Sequence, residues 1–169
     1  RGVYPCRATA ERALADGTLY VDEVNGHILG CANLNHVQPP EYGSISWTTQ
    51  AKPKQVLVIH TLCIRPECAG GGRGRRFVAF AEGLATGQGC RVIRLDTYEG
   101  NAPAAAFYPK LGYRLAGSAE FFFEGFAREN LICFEKEPRG GAARPAVSRR
   151  PGTAAPATPS TASASAETP

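Results

Sequence analysis

Between residues 18 and 34 apolar side chains recur in short β-branched stretches, interrupted once by Asn25-Gly26. Asn-Gly suits a two-residue hairpin turn because both positions there take positive φ, so residues 18–24 and 28–34 are predicted to form an antiparallel pair. A second β-rich run covers residues 56–64 and stops at Arg65-Pro66; Gly70, Gly71, Gly72 and Gly74 then fall within five residues, and an amphipathic pattern opens around Arg75. Phe77, Phe80, Ala81 and Leu84 repeat at helical spacing and should face a sheet, with Gly87 and Gly89 ending that helix. Residues 92–95 form a short buried strand running into Asp96-Thr97, and strand, helix, strand implies a parallel crossover. Asn101-Ala102-Pro103 opens a second helix with Asn101 as its cap, closed by Gly112. Residues 113–123 read as an aromatic strand, 125–130 as a turn and 131–135 as the last strand. Before the hairpin there is a short helix at 9–14; between hairpin and second β run, residues 36–54 form an irregular excursion around Tyr42, Ile45 and Trp47. The predicted class is α/β (α+β) with one mixed sheet, an antiparallel half joined to a parallel half and helices packed against it.

Composition divides the chain. Residues 138–169 are Pro, Ala, Ser, Thr and Gly with a few charges, and Val147 is their one large aliphatic side chain. Such a segment cannot repay the entropy of ordering it, so residues 1–137 are expected to form the domain and 138–169 a disordered tail. Four arginines against Glu167 give the tail +3 of the chain's formal +4, leaving the domain nearly neutral, which gives no general claim on nucleic acid. Arg65, Arg73, Arg75 and Arg76 instead cluster around the glycines. The six cysteines show neither a CxxC pair nor a disulfide-rich spacing, which argues against a metal site and fits a reducing cytoplasm. No run approaches a transmembrane span or a signal peptide's apolar core, so no membrane partner is expected. With no methionine even at position 1, the chain reads as processed or partial, and a targeting segment could precede it.

A glycine loop between a strand and a helix N-terminus presents unpaired N–H groups and the positive end of a dipole, so it suits an anion such as phosphate. No Lys-Ser/Thr follows, which excludes a Walker loop. Two separated stretches resemble the GNAT family of acetyl-CoA-dependent N-acetyltransferases: Leu62-Cys63-Ile64-Arg65-Pro66 with Gly70-Gly71-Gly72-Arg73-Gly74, and Asn101 through Phe107-Tyr108 to Leu111-Gly112-Tyr113. The resemblance implies an acyl-CoA N-acyltransferase domain that lacks the family's first strand, with acetyl-CoA as donor and no metal. It implies that Ala69, Gly70, Gly71, Gly72, Arg73, Gly74 and Arg75 hold the CoA pyrophosphate. By the same resemblance, the backbone of Leu62, Cys63 and Ile64 pairs with the pantetheine arm, Asn101 lies beside that arm, and Tyr108 lies near the thioester sulfur. Ala69 departs from the pattern, which usually has Gln or Arg there.

Direct transfer needs a neutral amine, a route for its proton and an acid for the leaving thiolate. A tyrosine hydroxyl is a neutral donor at pH 7, which suits Tyr108 to the last role. His60 is the candidate base. Strict alternation places it on one strand face with Leu62 and Ile64, and Cys63 on the other, which argues against an acetyl-cysteine intermediate. Asp96, Glu99 and Glu23 near strand ends would favour a cationic amine. Trp47 either caps the core or lines a substrate mouth; with Tyr42 and Phe121-Phe122-Phe123 it could build an apolar amine pocket or a homodimer edge. The expected activity is acetyl transfer from acetyl-CoA to a primary amine of a small molecule or peptide. The alternative is a non-catalytic acyl-CoA-binding or protein-interaction module of the same fold, favoured by Ala69. Truncation after Glu137 is expected to leave the thermal midpoint unchanged; a fall of many degrees would show that the tail packs on the domain.

Overall fold

The computed structural model describes residues 5–123 and 127–138, and the expected tail after Pro138 lies outside them. In chain order the elements are α1 (Arg7–Ala15), β1 (Leu19–Val24), β2 (His27–Asn35), β3 (Val56–Ile64), α2 (Arg73–Gly87), β4 (Val92–Tyr98), α3 (Ala102–Lys110), β5 (Arg114–Phe123) and β6 (Ala127–Lys136). The sheet has the order β1-β2-β3-β4-β6-β5, with β3 and β4 parallel and every other neighbouring pair antiparallel. Mixed class, hairpin and crossover agree with the patterning. Several boundaries move: α1 opens at Arg7 rather than residue 9, and β4 runs on to Tyr98. Helix α2 starts at Arg73 rather than Arg75, because Gly72 at φ 74° turns the chain directly into it. Strand β6 starts at Ala127, not Leu131: Arg128, Glu129 and Asn130 continue the ladder opposite Phe122, Phe121 and Glu120. Polar residues on that stretch left no apolar alternation to read.

Helix α2 buries Phe77, Val78, Ala81 and Ala85. With α3 it covers one sheet face, where these side chains join Ala32, Leu34, Leu57, Ile59, Ile93, Leu95, Tyr108 and Phe134. The residue 36–55 excursion belongs to the opposite face: Tyr42 and Ile45 are buried there with Val56, Val58, Val92, Phe121, Leu131 and Cys133, and Trp47 packs on them.

That second face also holds charge. Glu135 is fully buried, and its Oε1 accepts from the backbone N–H of Thr48 at 2.7 Å and Thr49 at 3.1 Å. Arg94, directly opposite Glu135 in the β4–β6 ladder, donates to Gln38 Oε1 at 2.7 Å and the Thr49 carbonyl at 2.9 Å. Its guanidinium lies 4.2 Å from the Trp47 ring centroid. One ion pair thus ties three points of the excursion to the sheet. Glu135→Ala would strand two amides and a buried guanidinium, so it is expected to destabilise the fold by about 3–5 kcal/mol in urea unfolding. A loss below about 1 kcal/mol would mean that water replaces the carboxylate.

Candidate functional site

Strands β3 and β4 pair through four rungs only, from Val56 opposite Val92 to Ile59 opposite Leu95. Beyond the fourth, β4 stays paired with β6 and β3 stays paired with β2, so the two parallel strands part and an opening lies between them. The register explains the divergence. Cys31 pairs with Cys63 and Asn33 with His60, so β3 spends one residue more than β2 over that interval, and Thr61 takes φ 49°. This is a β-bulge, which bends its strand and increases local twist. A β-branched residue at positive φ costs on the order of 1–3 kcal/mol and persists where surrounding structure demands it.

The bulge also overturns the strict alternation. Cross-strand partners share a face, so His60 and Cys63 lie together with Asn33 and Cys31, whereas Leu62 and Ile64 pack against the α2-side core. His60 therefore faces away from Leu62 and Ile64, and the orientation argument against an acetyl-cysteine falls. No hydrogen bond joins His60 to Cys63 among the described residues. His60 Nε2 lies 3.1 Å from Asn35 Oδ1 and 3.1 Å from the Val37 carbonyl. A backbone carbonyl only accepts, so Nε2 carries the proton and Nδ1 is the basic nitrogen. Burial lowers the imidazole pKa below its ordinary value, opposed by the Val37 bond.

Across the opening, Asp96 is the first β4 residue past the last parallel rung, as His60 is on β3. Alternation along β4 from Val92 puts Asp96 on the excursion side, where the Tyr42 hydroxyl donates to Asp96 Oδ2 at 2.7 Å. Burial raises the Asp96 pKa, the Tyr42 bond lowers it and Glu41 raises it.

The glycine loop stands on the other face. After Ala69 N–H donates to the Pro66 carbonyl, the next backbone donor with an acceptor is Arg76 N–H, to Gly72. The N–H groups of Gly70, Gly71, Gly72, Arg73, Gly74 and Arg75 have no acceptor among the described residues. No side chain caps α2 and no acid lies in its first turn. Positive φ at Gly70 and Gly72 lets this run of amides curve, and an added Cβ on Gly74 would come 3.4 Å from the Phe107 ring of α3. Two of the four flanking arginines are engaged elsewhere: Arg73 with Asp22 at 2.7 Å and Arg65 with Glu67 at 3.1 Å. Arg75 and Arg76 remain exposed beside the loop.

Tyr108 is buried against Phe107, Tyr113 and Phe134, and its hydroxyl makes no hydrogen bond among the described residues. Burial, with smaller contributions from Asp96 and Cys63, pushes its pKa up to about 12. Those two neighbours lie on β4 and β3, so Tyr108 reaches the opening from the helix side. Asn101 caps α3 by accepting from Ala104 N–H at 3.2 Å. Trp47 packs on the second core and also lines a cavity of about 430 Å³ with Tyr42, Gln38 and Arg94. Phe121 is buried in that core and Phe122 is exposed. Glu99 lines a separate cleft of about 300 Å³ with Glu120 and Glu129, and Glu23 lies exposed on the edge strand β1. The bulge and the Tyr42–Asp96 bond escape sequence reasoning: Thr61 is a poor candidate for positive φ, and residues 42 and 96 show no shared motif. Among the described residues no group of three or more His, Cys, Asp or Glu side chains could hold a metal, and no helix is long and apolar enough to cross a membrane.

The model of the acetyltransferase (GNAT) family matches residues 3–113. No curated protein sequence matches the chain. Among solved structures, the chain is similar to a candidate acetyltransferase from Staphylococcus aureus Mu50, with 24% identity over 80% of this chain and 82% of that one and a TM-score of 0.63. It is similar to a Bacillus subtilis acetyltransferase in complex with CoA, at 16% identity over 79% and 85% and a TM-score of 0.59. A GNAT family acetyltransferase from Elizabethkingia anophelis with acetyl-CoA bound gives 16% identity over 79% and 84% and a TM-score of 0.58. At these identities the likeness is one of fold.

The buried imidazole generates a prediction. Its folded pKa lies below 6.5, so just beneath that pH the unfolded chain binds more protons and stability falls as pH falls. An NMR titration should find His60 neutral, protonated on Nε2 and titrating below the ordinary value; a midpoint at or above 6.5 would contradict the burial.

Proposed function

The chain belongs to the GNAT acetyltransferase family, and from that premise we propose that it moves an acetyl group from acetyl-CoA directly to a primary amine of a small molecule or peptide. The observation that carries the reading is the run of six N–H groups from Gly70 to Arg75 without an acceptor among the described residues, on the helix side of a sheet that opens between β3 and β4. A diphosphate matches such a run, and each hydrogen bond to a charged group contributes roughly 1.5–3 kcal/mol. Losing one side chain at Ala69 therefore removes a minor part of the cradle. Arg75 adds charge at its rim.

The opening suits the rest of the donor. Past Ile59, β3 has no partner on its β4 side, so the backbone of Leu62, Cys63 and Ile64 is available to pair with the amide-bearing pantetheine arm. Asn101, at the mouth of α3, can use its side-chain N–H₂ toward that arm while its oxygen caps the helix. Tyr108 is the proton donor for the departing thiolate. Its raised pKa keeps the hydroxyl protonated, and it has no competing acceptor. His60 Nδ1 takes a proton from the amine on the excursion side. Residues 1–137 are the unit that carries this chemistry.

Tyr108→Phe keeps the ring's packing and removes the hydroxyl. Release of CoA thiol should be followed for a panel of benzylamine, spermidine, glycinamide and a tetrapeptide with a free N-terminus. The wild type is expected to acetylate at least one. Tyr108→Phe should lower kcat roughly 10²-fold at saturating amine, with acetyl-CoA affinity within a few-fold. Wild-type kcat in a folded Tyr108→Phe protein would leave the thiolate to solvent. Tight acetyl-CoA binding with no transfer to any amine would favour the non-catalytic reading that Ala69 supports.

A further inference from the structure

The bulge that turns β3 from β4 is followed at once by two thiols. Cys31 on β2 and Cys63 on β3 are direct partners in the antiparallel ladder, although the whole excursion lies between them in sequence. Directly opposite residues of such a ladder hold their Cα atoms about 4.5–5.5 Å apart with both side chains on one face, within the roughly 4.4–6.8 Å that a disulfide spans. Both are free thiols, and neither sulfur has a hydrogen-bond partner among the described residues. Cys63 is exposed and Cys31 half-buried, so a small molecule can reach the pair. Burial pushes the Cys31 thiol pKa up and Cys63 adds to that, which leaves a first nucleophilic attack to the exposed partner. The other cysteines are placed differently: Cys133 stands opposite Asp96 and Gly117, and Cys6, Cys68 and Cys90 lie outside the strands. The place of the rung matters as much as the pair. Thr61 is held at φ 49° because the ladder resumes beyond it, and it does so through Cys31–Cys63, Gly30–Ile64 and the Arg65 N–H bond to the Leu29 carbonyl. On its other side β3 has no strand partner after Ile59. A short stretch of ladder therefore secures the bend from one side.

We propose that Cys31 and Cys63 form a reversible disulfide, with a low-molecular-weight disulfide as oxidant, and that this bond clamps the β2–β3 ladder beyond the bulge. The Cys63 thiolate attacks one sulfur of the oxidant, whose S–S bond breaks; a mixed disulfide forms and one small thiolate leaves. The Cys31 thiolate then attacks Cys63 Sγ, the protein disulfide forms and the second small thiolate leaves. Two protein thiols are oxidised, one small disulfide is reduced to two thiols, and the two protons given up by the cysteines pass through water to the departing thiolates. Excess small thiol reverses both steps. In the reduced chain the rungs past Thr61 open by local fraying, as strand ends do. In the oxidised chain they stay together, and the loop from residue 31 to residue 63, which carries the entire excursion, is closed covalently. Such closure restricts the unfolded chain more than the folded one and so stabilises the fold. The switch is separate from acyl transfer, since neither its chemistry nor its effect on the ladder requires an amine or bound acetyl-CoA.

The folded full chain, reduced and then freed of reductant, should be incubated with oxidised glutathione. Remaining thiols are alkylated in denaturant and the peptides mapped by mass spectrometry, with fragmentation separating Cys63 from Cys68. The expected product has Cys31 joined to Cys63 and the other four cysteines alkylated. Its thermal midpoint should lie about 5–10 °C above that of the reduced chain and return when dithiothreitol is added. Amide hydrogen exchange across residues 62–65 should slow by about tenfold or more on oxidation. Cys31→Ser should hold glutathione on Cys63 and Cys63→Ser should form no bond at Cys31, both without the rise in midpoint. Should either variant fail to fold, the oxidised and reduced forms of the wild type decide the matter alone. A wild type that keeps both thiols free, stops at the mixed disulfide or joins either cysteine to a different one would overturn the proposal. So would a Cys31–Cys63 bond that leaves both the midpoint and the exchange unchanged.

Discussion

Everything at this site depends on a ladder that stops. Parallel strands buried on both faces ordinarily pair along their whole length, because an unpaired backbone N–H or C=O inside a sheet costs as much as a lost hydrogen bond. Here β3 and β4 are each nine and seven residues long, yet they share four rungs. The bulge at Thr61 explains why the pairing stops: the extra residue swings β3 away, and β2 follows it while β4 stays with β6. The left-handed conformation of a β-branched residue is unfavourable by itself. It is tolerated because the ladder resumes at Cys31–Cys63 and Gly30–Ile64, where Gly30 has no Cβ to collide with the Ile64 side chain. A glycine on the neighbouring strand therefore makes room for the bend.

The same opening joins two faces of unlike electrostatics. On the helix side, six amides without an acceptor among the described residues lie at the positive end of the α2 dipole, no acid lies in that helix's first turn, Asp22 and Glu67 are paired with Arg73 and Arg65, and Arg75 and Arg76 are exposed at the rim. On the excursion side the group beside the opening is the Asp96 carboxylate. A donor carrying phosphates and an acceptor carrying a positive charge would thus be drawn to opposite faces, and the reacting atoms would meet where no rung blocks the way. Separating the charges by a sheet also keeps Asp96 away from the run of free amides, where a carboxylate would weaken the binding of any anion.

Much of this architecture is legible in the residues. Asn25-Gly26, the glycine loop and the Asn101 cap each have a local physical reason, and each element they delimit is present. Local reasoning fails where the cause is distant. The orientation of His60 depends on a bulge that no residue type announces. Tyr42 and Asp96 are 54 residues apart, and the excursion that brings them together is held by Glu135, a further 39 residues along in β6 and outwardly an unremarkable acid in a polar strand end. Four arginines beside four glycines looked like one basic surround, yet Asp22 on the edge strand β1 claims Arg73. Charges in a sequence can be counted, but their partners are chosen by topology.

The buried ion pair is the least economical part of the molecule, and its placement argues for what it does. A Glu–Arg pair taken out of water seldom stabilises more than apolar side chains of similar volume would. Arg94 even keeps its Nε without a hydrogen-bond partner, 3.9 Å from Glu135. What such a pair supplies is direction: apolar contacts alone would let the excursion slide over Val56, Val92 and Phe121, whereas two amides on one carboxylate oxygen and a guanidinium donating to Gln38 and Thr49 define one register. In that register the Trp47 ring lies over Arg94, Tyr42 packs on Trp47, and the Tyr42 hydroxyl meets Asp96 two residues along the strand from Arg94. The excursion, which has no helix longer than a 3-10 turn, thus gains a geometry as specific as that of the sheet beneath it, and the Asp96 carboxylate gains a fixed direction.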